Sequence, residues 1–273
     1  MATTPVQPIR WPAEAIWEAV APVLPGFTVE VLPEVDSTNS ELMRRARAGR
    51  PDPVLLVAEQ QTAGRGRMGR QWLSDAQAMG QRAQALTFSL GLNLAPADWS
   101  GLSLAVGLSV AQSLHPDIRL KWPNDLWWHD RKLAGILIET GNWGEVNASR
   151  YVVIGVGLNL QTPDASGLST APVGLRELLP GVDAAQALLS IAGPLVQAVQ
   201  RFEAHGFAPF QQAFNMRDAL AQLPVTLSDG VQGLAQGVDA AGALLVASAQ
   251  GVQRVTSAEV SVRVQPGPAY DHL

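Results

Sequence analysis

Between Ala63 and Trp72 the chain reads AGRGRMGRQW, in which Gly64, Gly66 and Gly69 alternate with Arg65, Arg67 and Arg70. The run has neither the apolar period of a helix nor that of a strand, so it is a loop, and the remaining chain must supply a scaffold to hold it. Uncrowded backbone N–H groups and three guanidinium forks close together form an anion-binding device. A solvated basic loop, or an Arg-Gly contact to RNA, is the alternative reading. The whole-chain balance bears on that choice: 19 Lys plus Arg stand against 24 Asp plus Glu, a net charge of −5. Such a surface repels polyphosphate and anionic lipid, so positive charge gathered on one loop points to a purpose there.

The scaffold must be a packed one. At 47% hydrophobic and 16% charged, the chain falls outside the composition of disordered segments. Its 273 residues suit about two domains at roughly 150 residues each. There is no cysteine, which excludes disulfides, thiolate zinc sites and a Cys nucleophile. The first residues lack the apolar stretch of a secretory leader, and the most apolar window, Leu102 to Leu114, is too short to span a bilayer. A cytoplasmic location without membrane contact is expected. His115, His129, His205 and His272 are scattered without ligand spacing.

Periodicity then outlines the elements. A short helix carrying Trp11 and Trp17 precedes a strand from Thr28 to Leu32, which ends at the turn-prone Pro33. Thr38 and Glu41 have capping-box spacing at a helix start, with Gly49 as its stop. Val54 to Gln60 is β-rich, and Leu86, Phe88, Leu90 and Leu92 alternate with Thr87, Ser89 and Gly91 as in a half-buried strand. Trp99 to Leu114 is a core-facing helix, and at least three strands follow through Asn159. Gly193-Pro194 predicts two helices between Asp183 and Phe214, because an interior proline costs about 3 kcal/mol. After Leu223, short β-prone runs between Asp-Gly and Ala-Gly turns predict a small all-β domain.

Two further stretches carry chemistry. KWPND, Lys121 to Asp125, is followed by RKLAGIL, Arg131 to Leu137. Lys132 in an otherwise apolar strand should face a carboxylate or phosphate, unless it guards an exposed strand edge. Asn124 and Asp125 are turn formers, and Asp125 is equally able to pair with Arg131 or bind metal. In IGVGLN, Gly155 and Gly157 bare the strand backbone toward a flat ligand, or mark a bulge, while Asn159 offers an amide. Trp72, Trp122, Trp127 and Trp128 are core residues by default, with adenine stacking as the alternative.

Taken in order, DSTN, EQQTAGRGRMGRQW, LTFSL, KWPND, RKLAGILIE, VIGVGLN, GALLV and EVSVR closely resemble bacterial biotin protein ligases, over residues 34 to 264. The resemblance implies an α+β fold, with a mixed sheet backed by helices and a small C-terminal SH3-like β-barrel. The implied division is an N-terminal extension (1–33), a catalytic domain (34–222) and the SH3-like domain (223–273). Many relatives carry an N-terminal DNA-binding domain; the short segment before Glu34 resembles the type without it. The chain departs from the family pattern at residues 73–85, where LSDAQAMGQRAQA replaces a short glycine-rich turn, and at SAEVSVR (257–263), where a glycine before the glutamate is missing.

By resemblance, the activity is ATP-dependent formation of biotinyl-5′-AMP and transfer of biotin to a lysine of a biotin carboxyl carrier domain. That carrier is expected to belong to acetyl-CoA carboxylase; no DNA or membrane partner is expected, and oligomeric state is unreadable. ATP with Mg²⁺ held through its phosphates is co-substrate, biotin is substrate, and no prosthetic group or protein metal ligand is implied. Ser37, Thr38, Asn39, Gln61, Gly64, Arg65, Gly66, Arg67, Lys132, Gly155 and Gly157 would serve biotin. Arg67, Arg70, Trp72, Asn124, Asp125, Lys132 and Asn159 would serve ATP, with Lys132 and Arg67 catalytic. The rivals are a lipoate or other acyl-adenylate ligase of this fold, a non-catalytic biotin or nucleotide sensor, and an RNA-binding module.

Overall fold

The computed structural model describes residues 9–72, 83–141, 149–164, 166, 168, 170–256 and 262–264. Most of the departure at 73–85, and most of SAEVSVR, therefore lie outside the described residues, as does His272.

The elements run α1 (Ala13–Val20), β1 (Thr28–Val35), α2 (Thr38–Arg47), β2 (Val54–Gln61), β3 (Ala85–Leu94), α3 (Leu102–Leu114), β4 (Arg119–Lys121), β5 (Asp125–Trp128), β6 (Arg131–Gly141) and β7 (Arg150–Asn159). They continue with α4 (Leu175–Leu178), α5 (Ala184–His205), α6 (Gln211–Arg217), β8 (Pro224–Leu227), β9 (Gln232–Val238), β10 (Leu244–Ser248), β11 (Gly251–Val255) and β12 (Val262–Val264). The first seven strands form one sheet in the order β1-β2-β3-β7-β6-β5-β4. Only β1–β2 is parallel, with α2 as the crossover, so this is the mixed, helix-backed sheet of the α+β expectation.

Both faces of the sheet centre are covered. Leu42, Met43 and Ala46 of α2 pack on Val54, Leu56, Tyr151 and Val153, while Leu55, Phe88, Leu90 and Ile154 face the core shared with α3 and α5. Among the residues of β3 only Asn93 is exposed, so the half-buried strand of the alternation is a fully buried one. Its Thr87–Ser89–Gly91 face lies under α2 rather than in water.

The other corrections are local. Trp11 precedes α1 and donates from Nε1 to Glu59 Oε1 at 3.0 Å, while Trp17 is half exposed. β1 continues through Pro33, which an edge strand tolerates because this position has no partner in the β1–β2 register and the missing N–H costs no ladder bond. The N-cap of α2 is Ser37 rather than Thr38: its Oγ accepts from Ser40 N at 3.4 Å, and Glu41 binds Arg44 and Arg45 instead. Gly49, at φ 76°, is the stop. One helix, α5, spans Pro194, because the buried stripe Leu188, Ile191, Leu195, Val199 and Phe202 runs unbroken through it and packing offsets the lost hydrogen bond.

β8–β12 form a second, antiparallel sheet in the order β11-β10-β9-β8-β12. Among the described residues β11 and β12 do not pair, so the SH3-like sheet is open there. A continuous core joins both sheets: Val225, Leu244 and Val246 belong to the same cluster as Phe88 and Leu195. At the seam, fully buried Trp122 donates to Gly242 O at 3.1 Å, and the Asn215 side chain bonds both N and O of Val238. Asp218 also lies there, 7% exposed, with Oδ2 unpartnered; burial pushes its carboxyl up to about 6.

Candidate active site

A cleft of about 910 Å³ opens over the ends of β2, β3, β6 and β7. Its first wall is the N-terminus of α2. Thr38 N and Oγ1 both reach Gln61 Oε1, at 2.8 and 3.1 Å, and Ser89 Oγ lies 2.6 Å from both Thr38 Oγ1 and Asn39 Oδ1. Asn39 Nδ2 donates to Leu137 O at 3.2 Å and to Glu139 Oε2 at 3.0 Å. These groups are buried, and the network satisfies them, as burial of neutral polar atoms requires.

The second wall is charged. Lys132 Nζ donates to Asp125 Oδ1 at 2.7 Å across the β5–β6 pair, so the lysine does face a carboxylate. Arg131 goes to Glu177 at 2.6 Å and is not the partner of Asp125. Asn124 donates from Nδ2 to Ile136 O at 2.8 Å, and Arg67 reaches its Oδ1 at 3.4 Å. Burial lowers the Arg67 pKa, with Asp125 opposing the shift and Arg70 adding to it; a guanidinium remains charged regardless. Asn159 Nδ2 faces the carbonyls of Lys132 and Val173 at 3.3 Å each, and so ties the end of β7 to the lysine strand.

The Gly-Arg loop joins the two walls and is more ordered than its composition suggests. Arg65 and Gln71 form an antiparallel bridge, Gly66 N donates to Arg70 O at 2.7 Å, and Trp72 N to Gly64 O at 2.9 Å. The tip turns through Met68 and Gly69, both with positive φ. Arg65 reaches Glu139 at 2.9 Å; Arg70 is exposed. Two glycines make the assembly possible. A Cβ on Gly155 would stand 2.1 Å from Asn39 Oδ1, and one on Gly157 would stand 2.3 Å from the Trp72 ring. The bare strand backbone therefore admits these two side chains, and Trp72 Nε1 is left buried without a partner.

Every residue that the resemblance assigned to biotin or ATP lines this cleft except Gly64, where Trp72 O stands 2.4 Å from the position a Cβ would take. Trp127 also lines it, with Lys121 Nζ 5.0 Å from its ring centre, whereas Trp122 lies in the seam. Sequence reasoning missed Ser89 and Glu139, which hold the lining residue Asn39 from behind, and Val262 and Val264 of the second sheet, which line the cleft itself. The clue for Ser89 was present: a serine and a threonine on alternate positions of an otherwise apolar strand.

Comparison with known proteins agrees with this geometry. Residues 31–159 match the Biotin/lipoate A/B protein ligase family, and residues 224–263 match the Biotin protein ligase C terminal domain. The bifunctional ligase/repressor BirA of Escherichia coli is 34% identical over 250 residues, covering 88% of this chain and 75% of that protein. The biotin–[acetyl-CoA-carboxylase] ligase of Paracoccus denitrificans is 33% identical over 242 residues, 84% and 98% respectively. Among solved structures, the biotin protein ligase from Aquifex aeolicus in complex with biotin and ATP superposes with a TM-score of 0.70 at 26% identity, covering 87% of this chain and 99% of that one.

Proposed function

The chain belongs to the biotin protein ligase family and is a ligase, and from that premise we propose how its cleft joins biotin to a carrier. Support comes above all from the juxtaposition of a buried neutral pocket and a cationic wall in one cleft. Ser37, Thr38, Asn39 and Gln61 suit an uncharged, hydrogen-bonding ring such as the biotin ureido group. Lys132, Arg67 and Arg70 suit the carboxylate and the nucleotide phosphates.

In the first step a carboxylate oxygen of biotin attacks the α-phosphorus of ATP, the bridging bond to the β-phosphate breaks, and pyrophosphate leaves. Two anions must approach, and negative charge builds on the phosphoryl oxygens. Lys132, held at the site by Asp125, and Arg67, held by Asn124, offset both. Proximity of well-aligned reactants can contribute up to about 7–11 kcal/mol. In the second step the amine of a carrier lysine attacks the acyl carbon, the bond to the phosphate oxygen breaks, and AMP leaves as the amide forms. The Gly-Arg loop, lying across the cleft, shields the water-sensitive anhydride between steps.

Mg²⁺ bound to the triphosphate would supply further charge neutralisation. Delivery on the phosphates is the arrangement Mg²⁺ commonly takes, since it keeps several waters and binds through substrate phosphates. The carrier expected is the biotin domain of acetyl-CoA carboxylase. Among the described residues no helix is long and apolar enough to cross a membrane.

The test is ATP–pyrophosphate exchange with biotin or lipoate as the acid, followed by weighing a carrier domain incubated with ATP and biotin. Exchange with biotin and a carrier gain of one biotinyl group are expected. Exchange with lipoate alone would transfer the reading to that rival.

A further inference from the structure

Glu139, near the end of β6, is the one acidic side chain among the described residues that touches both the Gly-Arg loop and the wall of the neutral pocket. Its Oε2 accepts from Arg65 Nη1 at 3.1 Å, and the same guanidinium nitrogen lies 2.9 Å from Oε1 in the ion pair. Oε2 also accepts from Asn39 Nδ2 at 3.0 Å. Asn39 in turn meets Ser89 through Oδ1 and occupies the space that Gly155 leaves open. Arg65 Nη1 reaches further, to Ser40 Oγ on α2 at 3.5 Å. One carboxylate thus receives a guanidinium from the loop and an amide from the pocket.

We propose that Glu139 is a positioning residue, a latch that holds the Gly-Arg loop over the cleft through Arg65 while fixing the orientation of the Asn39 amide. The proposal rests on the biotin-ligase reading for what the pocket holds. It follows from what each partner lacks alone. The loop has little apolar mass; Met68 at its tip is 64% exposed, so contacts such as this one must order it. The Asn39 amide has two equivalent-looking ends, and the carboxylate joins Leu137 O beside Nδ2 as a second group that can only accept, which commits Oδ1 to Ser89. The ion pair leaves Arg65 at 49% and Glu139 at 22% side-chain exposure, and pairs that open add little to global stability. The effect is therefore local: loop closure and pocket order share one anchor.

Glu139→Gln removes the charge and sets an amide donor against either Arg65 or Asn39. Glu139→Asp keeps the charge but is one methylene too short to serve both partners. The full chain, free of ligands, is digested briefly with trypsin, which cuts after Arg65, Arg67 and Arg70; biotin-dependent pyrophosphate exchange and the melting temperature are measured in parallel. In Glu139→Gln, loop cleavage and the biotin KM should each rise about tenfold, as losing charge-assisted hydrogen bonds implies. The kcat and the ATP KM should move less than about twofold and the melting temperature should hold, since an exposed pair contributes little to either. Glu139→Asp should fall between the variant and the wild type. If Glu139→Gln destabilises the fold, Arg65→Gln breaks the same pair from its exposed side and leaves two cleavage sites to read.

Wild-type cleavage and biotin KM in an active Glu139→Gln protein would overturn the latch, as would a fallen melting temperature with neither change. A wild-type protein that shows no biotin-dependent exchange would instead overturn the ligase reading. Even then the digestion of the empty loop still decides whether Glu139 holds it.

Discussion

On the α2 side of the cleft Ser37, Thr38, Asn39, Gln61 and Ser89 are all at or below 9% exposure, and the last four direct polar atoms at one another. On the β5–β6 side Lys132 is 28% and Asp125 17% exposed, and Arg70 is exposed. The neutral wall is buried and offers uncharged polar atoms, so a ligand whose own polar atoms find no partner there is left with a buried unsatisfied group, at about 1–3 kcal/mol. The charged wall is wetter, and its value lies in meeting charge that appears only during reaction. On the proposed reading, selection among acids is separated from acceleration, and substitutions on the two walls should separate in the same way.

The largest effect is expected on the charged wall. Lys132→Ala should lose about 2–4 kcal/mol of barrier lowering in adenylation, by analogy with deleting one preorganised donor. Biotin-dependent pyrophosphate exchange measures it; a rate near that of the wild type would remove the lysine from the chemistry and break the contrast.

Next come the paired glycines, which lie two residues apart on β7 yet serve opposite walls. Gly155→Ala drives a methyl into Asn39, and Gly157→Ala drives one into Trp72, overpacking that costs about 1–3 kcal/mol each. The first should raise the biotin KM and the second the ATP KM; steady-state kinetics with each substrate varied would expose any crossing of these effects. Ser89→Ala should be milder, about 1–2 kcal/mol, because it strips one partner each from Thr38 and Asn39. Calorimetric titration with biotin should show the loss, while ATP binding stays as it was.

The smallest effect on either wall is expected from Asp218→Asn, at the seam. The folded carboxyl titrates near 6, above its ordinary 3.8. Because the folded value is raised, its contribution to stability is complete below about pH 4 and is lost as pH rises through about 6. Melting curves across that window should slope downward in the wild type and flatten in the variant, with kinetics on both substrates unmoved.

How much of this was legible in the sequence depended on whether the determining contact is local or distant. The Gly-Arg loop, KWPND and RKLAGIL pointed to the charged wall through charge gathered on a loop and a lysine in an apolar strand, and to the family through the resemblance of their joint order. Gly49 stopped α2 as its freedom of φ implies. The N-cap of that helix shifted by one residue because Thr38, the better local match with Glu41, is claimed by Gln61 from 23 positions away. Ser89 was taken for a solvent-facing residue because alternation cannot say that a helix covers the second face. Pro33 and Pro194 were read from local propensity alone, whereas an edge position and a buried stripe decided their outcome. Gly155 and Gly157 were recognised as bare backbone, but nothing adjacent in the chain says that Asn39 and Trp72 fill the space.

The indole of Trp122, fully enclosed and anchored on Gly242 O, lets neither sheet be wetted while the other stays dry. Warming should therefore produce one heat-absorption peak rather than two. A small molecule gripped by the larger sheet will also delay the melting of the smaller, so ligand and C-terminal strands share a single thermal fate.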